Sequence, residues 1–226
     1  MTVGASLGQG GIAVAAASMM ILLFAAPATA HPHVFVTATV QFVGDGKDKL
    51  NLVRTGWVFD EMFSSSLLMD FDANANNKLE PAELTEIGQT VLGSAKDYNF
   101  FTFLKDAGRP VALTAPSNFR VLFENGHLVL LTEMAVVKPL KLTRANLTLS
   151  IYDPSFYVSF DVGSDEHALL TDMPKGCRSS ISSDTPTDGA SAWLNQVAGL
   201  SKSQTIPADG INYAELLSTK VNVACP

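Results

Sequence analysis

A strict two-residue alternation sets the first constraint on this chain. From His33 to Val43, the residues Val34, Val36, Ala38, Val40 and Phe42 fall on one face of an extended strand. His31, His33, Phe35, Thr37 and Thr39 fall on the other. Such a strand must lay its apolar side on a core, because a slip of one residue would turn every valine to solvent. Gly44-Asp45-Gly46-Lys47 then turns the chain, and Leu50 to Phe59 returns as a second strand of a hairpin.

Helical patterns follow. Asp60 reads as the N-cap of a helix over 61–71, with Phe63, Leu67, Leu68 and Phe71 as its apolar stripe. Pro81 opens a second helix, buried through Leu84, Ile87, Val91 and Leu92, and the pattern runs on through Phe100 to Leu104. Gly108-Arg109-Pro110 ends the helical block, and β-structure resumes at Val111. Asn125-Gly126 suits a two-residue type I′ turn, which pairs Glu124 with His127 across a hairpin end. Two more strands are expected at 147–152 and 156–162, a polar loop at 179–191, a short helix from Ala192, and a closing strand from Lys220 to Cys225. This order predicts an α+β fold. An antiparallel β-sheet domain at 31–178 carries an inserted α-hairpin at about 61–105, and a C-terminal segment, 192–226, packs on it.

The first thirty residues differ from the rest. They contain no Lys, Arg, Asp or Glu, and Ile12 to Ala26 is a mostly apolar run followed by Pro27-Ala28-Thr29-Ala30. Ala28 and Ala30 supply the small-residue pattern of a cleavage site, and the run falls short of the roughly 20 residues of a transmembrane helix. Residues 1–30 therefore read as a cleavable export signal, placing a mature chain that begins at His31 in the periplasm, with no membrane span. The absence of a basic n-region leaves an uncleaved anchor as the alternative. The chain carries 15 basic and 22 acidic residues, a net charge of −7, which argues against nucleic-acid binding. Export makes a structural disulfide of Cys177 and Cys225, worth about 4 kcal/mol in the chain-entropy account. Their spacing is not that of a C-x-x-C redox pair.

Between the two helices lies a loop with the spacing of an EF-hand. Its first, third, fifth and twelfth places are Asp72, Asn74, Asn76 and Glu83, and the carbonyl of Lys78 stands seventh. Leu79 occupies the hydrophobic anchor position, and Glu80 is placed to act through a water. Asn77 replaces the usual glycine, at a cost that asparagine tolerates better than most residues. With carboxylates only at Asp72, Glu80 and Glu83, the expected calcium affinity is weak, roughly 10⁻⁴–10⁻³ M. The alternative is an Asx-rich turn that binds nothing.

His31-Pro32-His33 offers two imidazoles on one strand face and, after cleavage, a free α-amine. Nitrogen donors favour zinc, nickel or copper. Pro32 lacks the amide proton that a square-planar amino-terminal clip would use, which leaves open an imidazole-plus-amine site completed from elsewhere by Asp or Glu, or by His127 or His167. Two polar residues on an open strand face are the bland alternative. His127 by itself reads as an exposed hairpin residue, His167 as a solvated loop residue, and Trp57 and Trp193 as core anchors.

Several segments together carry a family resemblance: HPHVFV at 31–36, GWVFDEMFS at 56–64, the EF-like loop, NFFTFLK at 99–105, YDPSFYVSF at 152–160, Gly-Cys-Arg at 176–178 and the closing KVNVAC. The chain resembles the periplasmic family called domain of unknown function 1007. That resemblance implies a soluble accessory to a transition-metal transport system, with zinc, nickel or cobalt as its metal and an inner-membrane permease as its partner. It marks His31 and His33 as metal ligands. Asp60 and Glu61 are further candidates, which helix capping explains equally well. The expectation is a non-catalytic metal-binding protein with a structural calcium loop. The alternatives are a calcium-stabilised module without a transition metal and a copper enzyme built on the amino-terminal histidine. No Ser-His-Asp, Cys-His or glycine-rich phosphate motif is visible.

Overall fold

The computed structural model describes Met1 and residues 32–198 and 210–226. The rest of the expected export signal, and His31, lie outside the described residues. The alternating segment forms β1 (Val34–Gly44), and its inward residues Val34, Val36, Ala38, Val40 and Phe42 are all buried. It pairs antiparallel with β2 (Lys49–Phe59). Helix α1 (Glu61–Phe71) starts where its cap predicts, the Asp60 carboxylate accepting from the Phe63 amide. Helix α2 (Pro81–Ala95) opens on its proline. Gly88 lets α2 lie directly on the next sheet, since a Cβ there would stand 2.4 Å from a Phe119 ring carbon and 2.7 Å from Val121.

The expected run of helix to Leu104 is corrected. The chain leaves α2 through a 3₁₀ turn, Lys96–Phe101, in which Asn99, Phe100 and Phe101 adopt φ of 53°, 50° and 55°. Leu104 lies instead in β3 (Thr102–Asp106), which pairs with β4 (Arg109–Val111). A short apolar run such as FFTFL satisfies helix and strand alike, and pairing decides it. β5 (Asn118–Glu124) and β6 (His127–Lys141) form the predicted hairpin. Glu124 faces His127, and φ is 52° at Asn125 and 82° at Gly126, as a type I′ turn demands.

The remaining elements are β7 (Asn146–Ile151), β8 (Val158–Asp161), β9 (Ala168–Thr171), β10 (Arg178–Ser182), α3 (Asp188–Ala198), α4 (Tyr213–Leu217) and β11 (Lys220–Ala224). Residues 179–191 are therefore not simply a loop. β10 is an edge strand paired with β11, so it has no need of an apolar pattern, and α3 begins before Ala192. One sheet has the order β5-β6-β2-β1-β8, with β9 also on β1; the other runs β10-β11-β7-β3-β4. The second sheet is antiparallel throughout. In the first, β8 and β9 run parallel to β1. The chain reaches β8 from β7 in the other sheet, so no hairpin dictates its direction.

The two sheets share one core. Trp57 meets Phe160 and Phe101 at ring distances of 5.2 and 6.0 Å, and Leu147, Leu149, Val221 and Val223 enter from the second sheet. Trp193 anchors a separate cluster instead, stacked on Tyr213 at 4.5 Å. A Cys177–Cys225 disulfide ties the approach to β10 to the end of β11. The architecture is α+β, with largely antiparallel sheets. Among the described residues no helix is long and apolar enough to cross a membrane.

Candidate functional site

The first sheet buries one face and leaves the other open, and its register brings distant residues into one lateral row. Phe35 on β1 pairs with Ser159 on β8. On its other side it meets Asp60, through Asp60 N–H to the Phe35 carbonyl (2.8 Å) and Phe35 N–H to Asp60 Oδ2 (2.8 Å). His127 opens β6 beside Asp60, and Glu124 faces it across the hairpin. In the next row Asp161 pairs with Thr37, and Thr37 with Val58. Together Phe35, Thr37, Val58, Asp60, His127, Ser159 and Asp161 line a cavity of about 300 Å³.

Three contacts make this corner rigid. Asp60 Oδ1 accepts from the Phe63 amide at 2.9 Å while Oδ2 holds Phe35, so one carboxylate joins helix start to strand. Ser64, fully buried, donates to the Asp60 carbonyl (2.7 Å) and accepts from the Leu128 amide (2.9 Å), which fixes α1 to β6. His127 Nδ1 lies 2.7 Å from the Phe59 carbonyl. A carbonyl only accepts, so Nδ1 carries a proton, and in the neutral imidazole the lone pair then sits on Nε2. A ring held in that tautomer is what metal-ligating histidines show. Glu61 lies beside the type I′ turn, its Oε1 3.6 Å from where a Gly126 Cβ would stand. Asp60 and Asp161 thus line one cavity with His127, while Glu124 faces His127 across the hairpin and Glu61 lies at its turn.

His33 is held apart from this cavity by its own contacts. It is half-buried, its ring 4.9 Å from Tyr157 and its amide donating to the Tyr157 carbonyl at 2.9 Å. Strand alternation nevertheless sets it on the same face as Phe35, two residues upstream. His167 lies elsewhere, its Nδ1 3.4 Å from the Ser164 amide and hydroxyl. Among the described residues no three His, Cys, Asp or Glu side chains come together closely enough to hold a metal ion. No sequence pattern singles out Asp161, and His127 reads there as an exposed hairpin residue or as a completing ligand for His31 and His33. The type I′ turn and the Asp60 cap, both legible in the sequence, fix the ends of the elements that bring His127 and Asp60 to one cavity.

The α1–α2 loop is built differently, from its own twelve residues. Asp72 Oδ1 and Oδ2 accept from the amides of Asn76 (3.1 Å) and Asn77 (2.6 Å). Asn74 and Asn76 side-chain oxygens accept from the amides of Asn76 (3.1 Å) and Lys78 (2.8 Å). Glu83 accepts from the amides of Ala73 (2.9 Å) and Glu80 (2.8 Å). Asn77 takes φ of 60°, the left-handed turn that the expected glycine would make. Glu80 is held below the usual carboxylate range, first by its hydrogen bond with the Glu83 carboxyl and then by the Asn76 amide. The donors are oxygens, the class that calcium takes, and each accepting oxygen keeps a second lone pair.

The comparisons with known proteins place the whole assembly in one lineage. A protein of Haemophilus influenzae described as uncharacterized is 23% identical over 198 residues, covering 87% of this chain and 91% of its own length. A family profile matches residues 16–225, nearly the entire chain. Strand hairpin, helical insertion, both sheets and the disulfide all fall inside that match, and the chain belongs to the family described as Protein of unknown function (DUF1007).

Proposed function

We propose that this is a non-catalytic, periplasmic metal-binding protein that serves a zinc, nickel or cobalt transport system at an inner-membrane permease. The observation that carries the reading is His127, whose Nδ1 is committed to the Phe59 carbonyl so that Nε2 of the neutral ring is left as a donor in a cavity that Asp60 and Asp161 also line. The sequence supports it too: His33 stands just ahead of β1 on the strand face of Phe35, and His31 and the expected mature amine, outside the described residues, precede it in the chain. An imidazole-rich donor set with carboxylate support favours zinc, nickel or cobalt over calcium or magnesium.

The test is calorimetric titration of zinc into processed protein without an amino-terminal tag, since a tag would block the amine. One zinc site is expected, with affinity falling as the pH is lowered through about 6, because imidazole ligates only when neutral. His127→Ala, and His31→Ala with His33→Ala, should each weaken binding at least about tenfold, as loss of a ligand or its partner does. Equal affinity in wild type and all variants would overturn the reading.

A second site rests on a separate observation. The Asx-rich loop is closed by Asp72 on the amides of Asn76 and Asn77, in the register that an EF-hand requires. We read it as a weak structural calcium site using Asp72, Asn74, Asn76, the Lys78 carbonyl and Glu83.

A further inference from the structure

The open face of the first sheet continues past Val58 into a second, larger groove of about 670 Å³, a volume typical of small-molecule sites. Its floor is set by register. Gly56 on β2 pairs with Thr39 on one side and Leu131 on the other, and Leu131 pairs in turn with Arg120 on the edge strand β5. Gly56 makes the notch, because a Cβ there would stand 3.3 Å from Leu131 Cδ2 and 3.8 Å from Thr39 Cβ. Val58, Leu131 and Leu169 are 38%, 40% and 44% exposed, so three large apolar side chains of one sheet face meet solvent inside a recess.

The two cations of the groove differ. Arg54 is satisfied, its Nε 2.5 Å from Glu133 Oε1 and its Nη1 3.3 Å from Gln41 Oε1. Arg120 is exposed and has neither an ion pair nor a side-chain hydrogen bond among the described residues. In a chain of net charge −7, an uncompensated cation over an apolar trough selects an occupant with an apolar body and one negative end. We propose that this groove binds a free aliphatic carboxylate, a fatty acid. Its tail would lie in the Gly56 notch between Val58 and Leu131, with its carboxylate on Arg120. A bilayer surface does not suit a recess of three side chains, because interfacial binding needs a broad apolar face rimmed by many cations.

The experiment titrates dodecanoate, below its micelle concentration, into the full mature chain by calorimetry, with dodecanol as the uncharged control. Saturable one-to-one binding of dodecanoate is expected. Arg120→Gln should weaken it about fivefold, the size of one exposed ion pair, and leave dodecanol unchanged. Gly56→Val should weaken both, and unchanged melting temperatures would exclude loss of fold. Should Gly56→Val not fold, Leu169→Glu on the edge strand β9 serves in its place by repelling the carboxylate. The proposal falls if dodecanoate shows no saturable binding, if Arg120→Gln binds it as tightly as wild type, or if sedimentation finds a dimer that dodecanoate does not perturb.

Discussion

The α1–α2 loop and the His127 corner gather similar numbers of polar side chains by opposite means. In the loop, each bond spans at most ten residues, from Ala73 to Glu83. In the corner, His127 reaches back to Phe59 across 68 residues, Leu128 to Ser64 across 64, and Phe35 to Asp60 across 25. The loop's order is therefore local, and a twelve-residue pattern suffices to state it. The corner exists only when four strands and a helix start are in register, so its geometry costs far more chain entropy to assemble. Polar groups held by long-range closure are rigid and sensitive to distant changes, whereas those held locally tolerate them.

That contrast can be broken most severely at the disulfide, which closes a sequence separation of 48 residues. Replacing Cys177 and Cys225 by Ser should lower the unfolding free energy by about 4 kcal/mol, read from urea melts of oxidised and mutant protein. A loss near zero would mean that long-range closure contributes little. Next comes Ser64→Ala, which leaves the buried Leu128 amide without its acceptor and frees α1 from β6. A cost of about 2 kcal/mol is expected, together with weaker zinc binding and an unchanged response to calcium. If zinc affinity survived intact, the corner would not need this clamp.

The loop has its own test. Free calcium at several times a millimolar Kd should stabilise the fold by about 1 kcal/mol, seen as a rise in melting temperature. Glu83→Gln should remove most of that rise while zinc binding stays as in wild type. A melting temperature indifferent to calcium would leave the loop a helix–helix turn.

The smallest effects lie in the titration of two glutamates. Glu133 is held below the usual carboxylate range by Arg54, 79 residues away, and then by Asn118; Glu80 is held there by Glu83 and Asn76. A carboxylate whose folded value is depressed stabilises the fold at neutral pH, and loses that contribution as the pH falls through the folded value. The Arg54–Glu133 pair lies at the surface, so its acid-labile contribution should be under about 1 kcal/mol. Carboxyl NMR titrations should show Arg54→Gln raising the Glu133 midpoint alone, and Glu83→Gln raising the Glu80 midpoint alone. Cross-effects would mean that the two regions are coupled.

Residues whose conformation is set by near neighbours were legible. Alternation gave the inward face of β1, Asp60 capped α1, and Asn125-Gly126 set the turn and its Glu124–His127 pair. Misreadings arose where two structures satisfy one pattern, as at Phe100 to Leu104. They also arose where an edge strand needs no apolar pattern, as at β10, where three of the five residues Arg178–Ser182 are serine. His127 reads in the sequence as an exposed hairpin residue, and only the packing of the β5–β6 hairpin against the start of α1 leaves it half-buried with Nδ1 on the Phe59 carbonyl.

Backbone stereochemistry and side-chain reach over a few residues act along the chain, so helix starts, tight turns and the calcium-type spacing are written in consecutive residues. Sheet order is not. That β8 and β9 lie parallel to β1, that Asp161 comes level with Thr37, and that Arg120 overlooks Leu131 all follow from strands choosing partners by shared burial. Those partners stand up to about 130 residues apart, as Gln41 and Thr171 do. Hydrophobic burial is non-directional and carries no address, so the pairing is decided only when all the faces compete for one core.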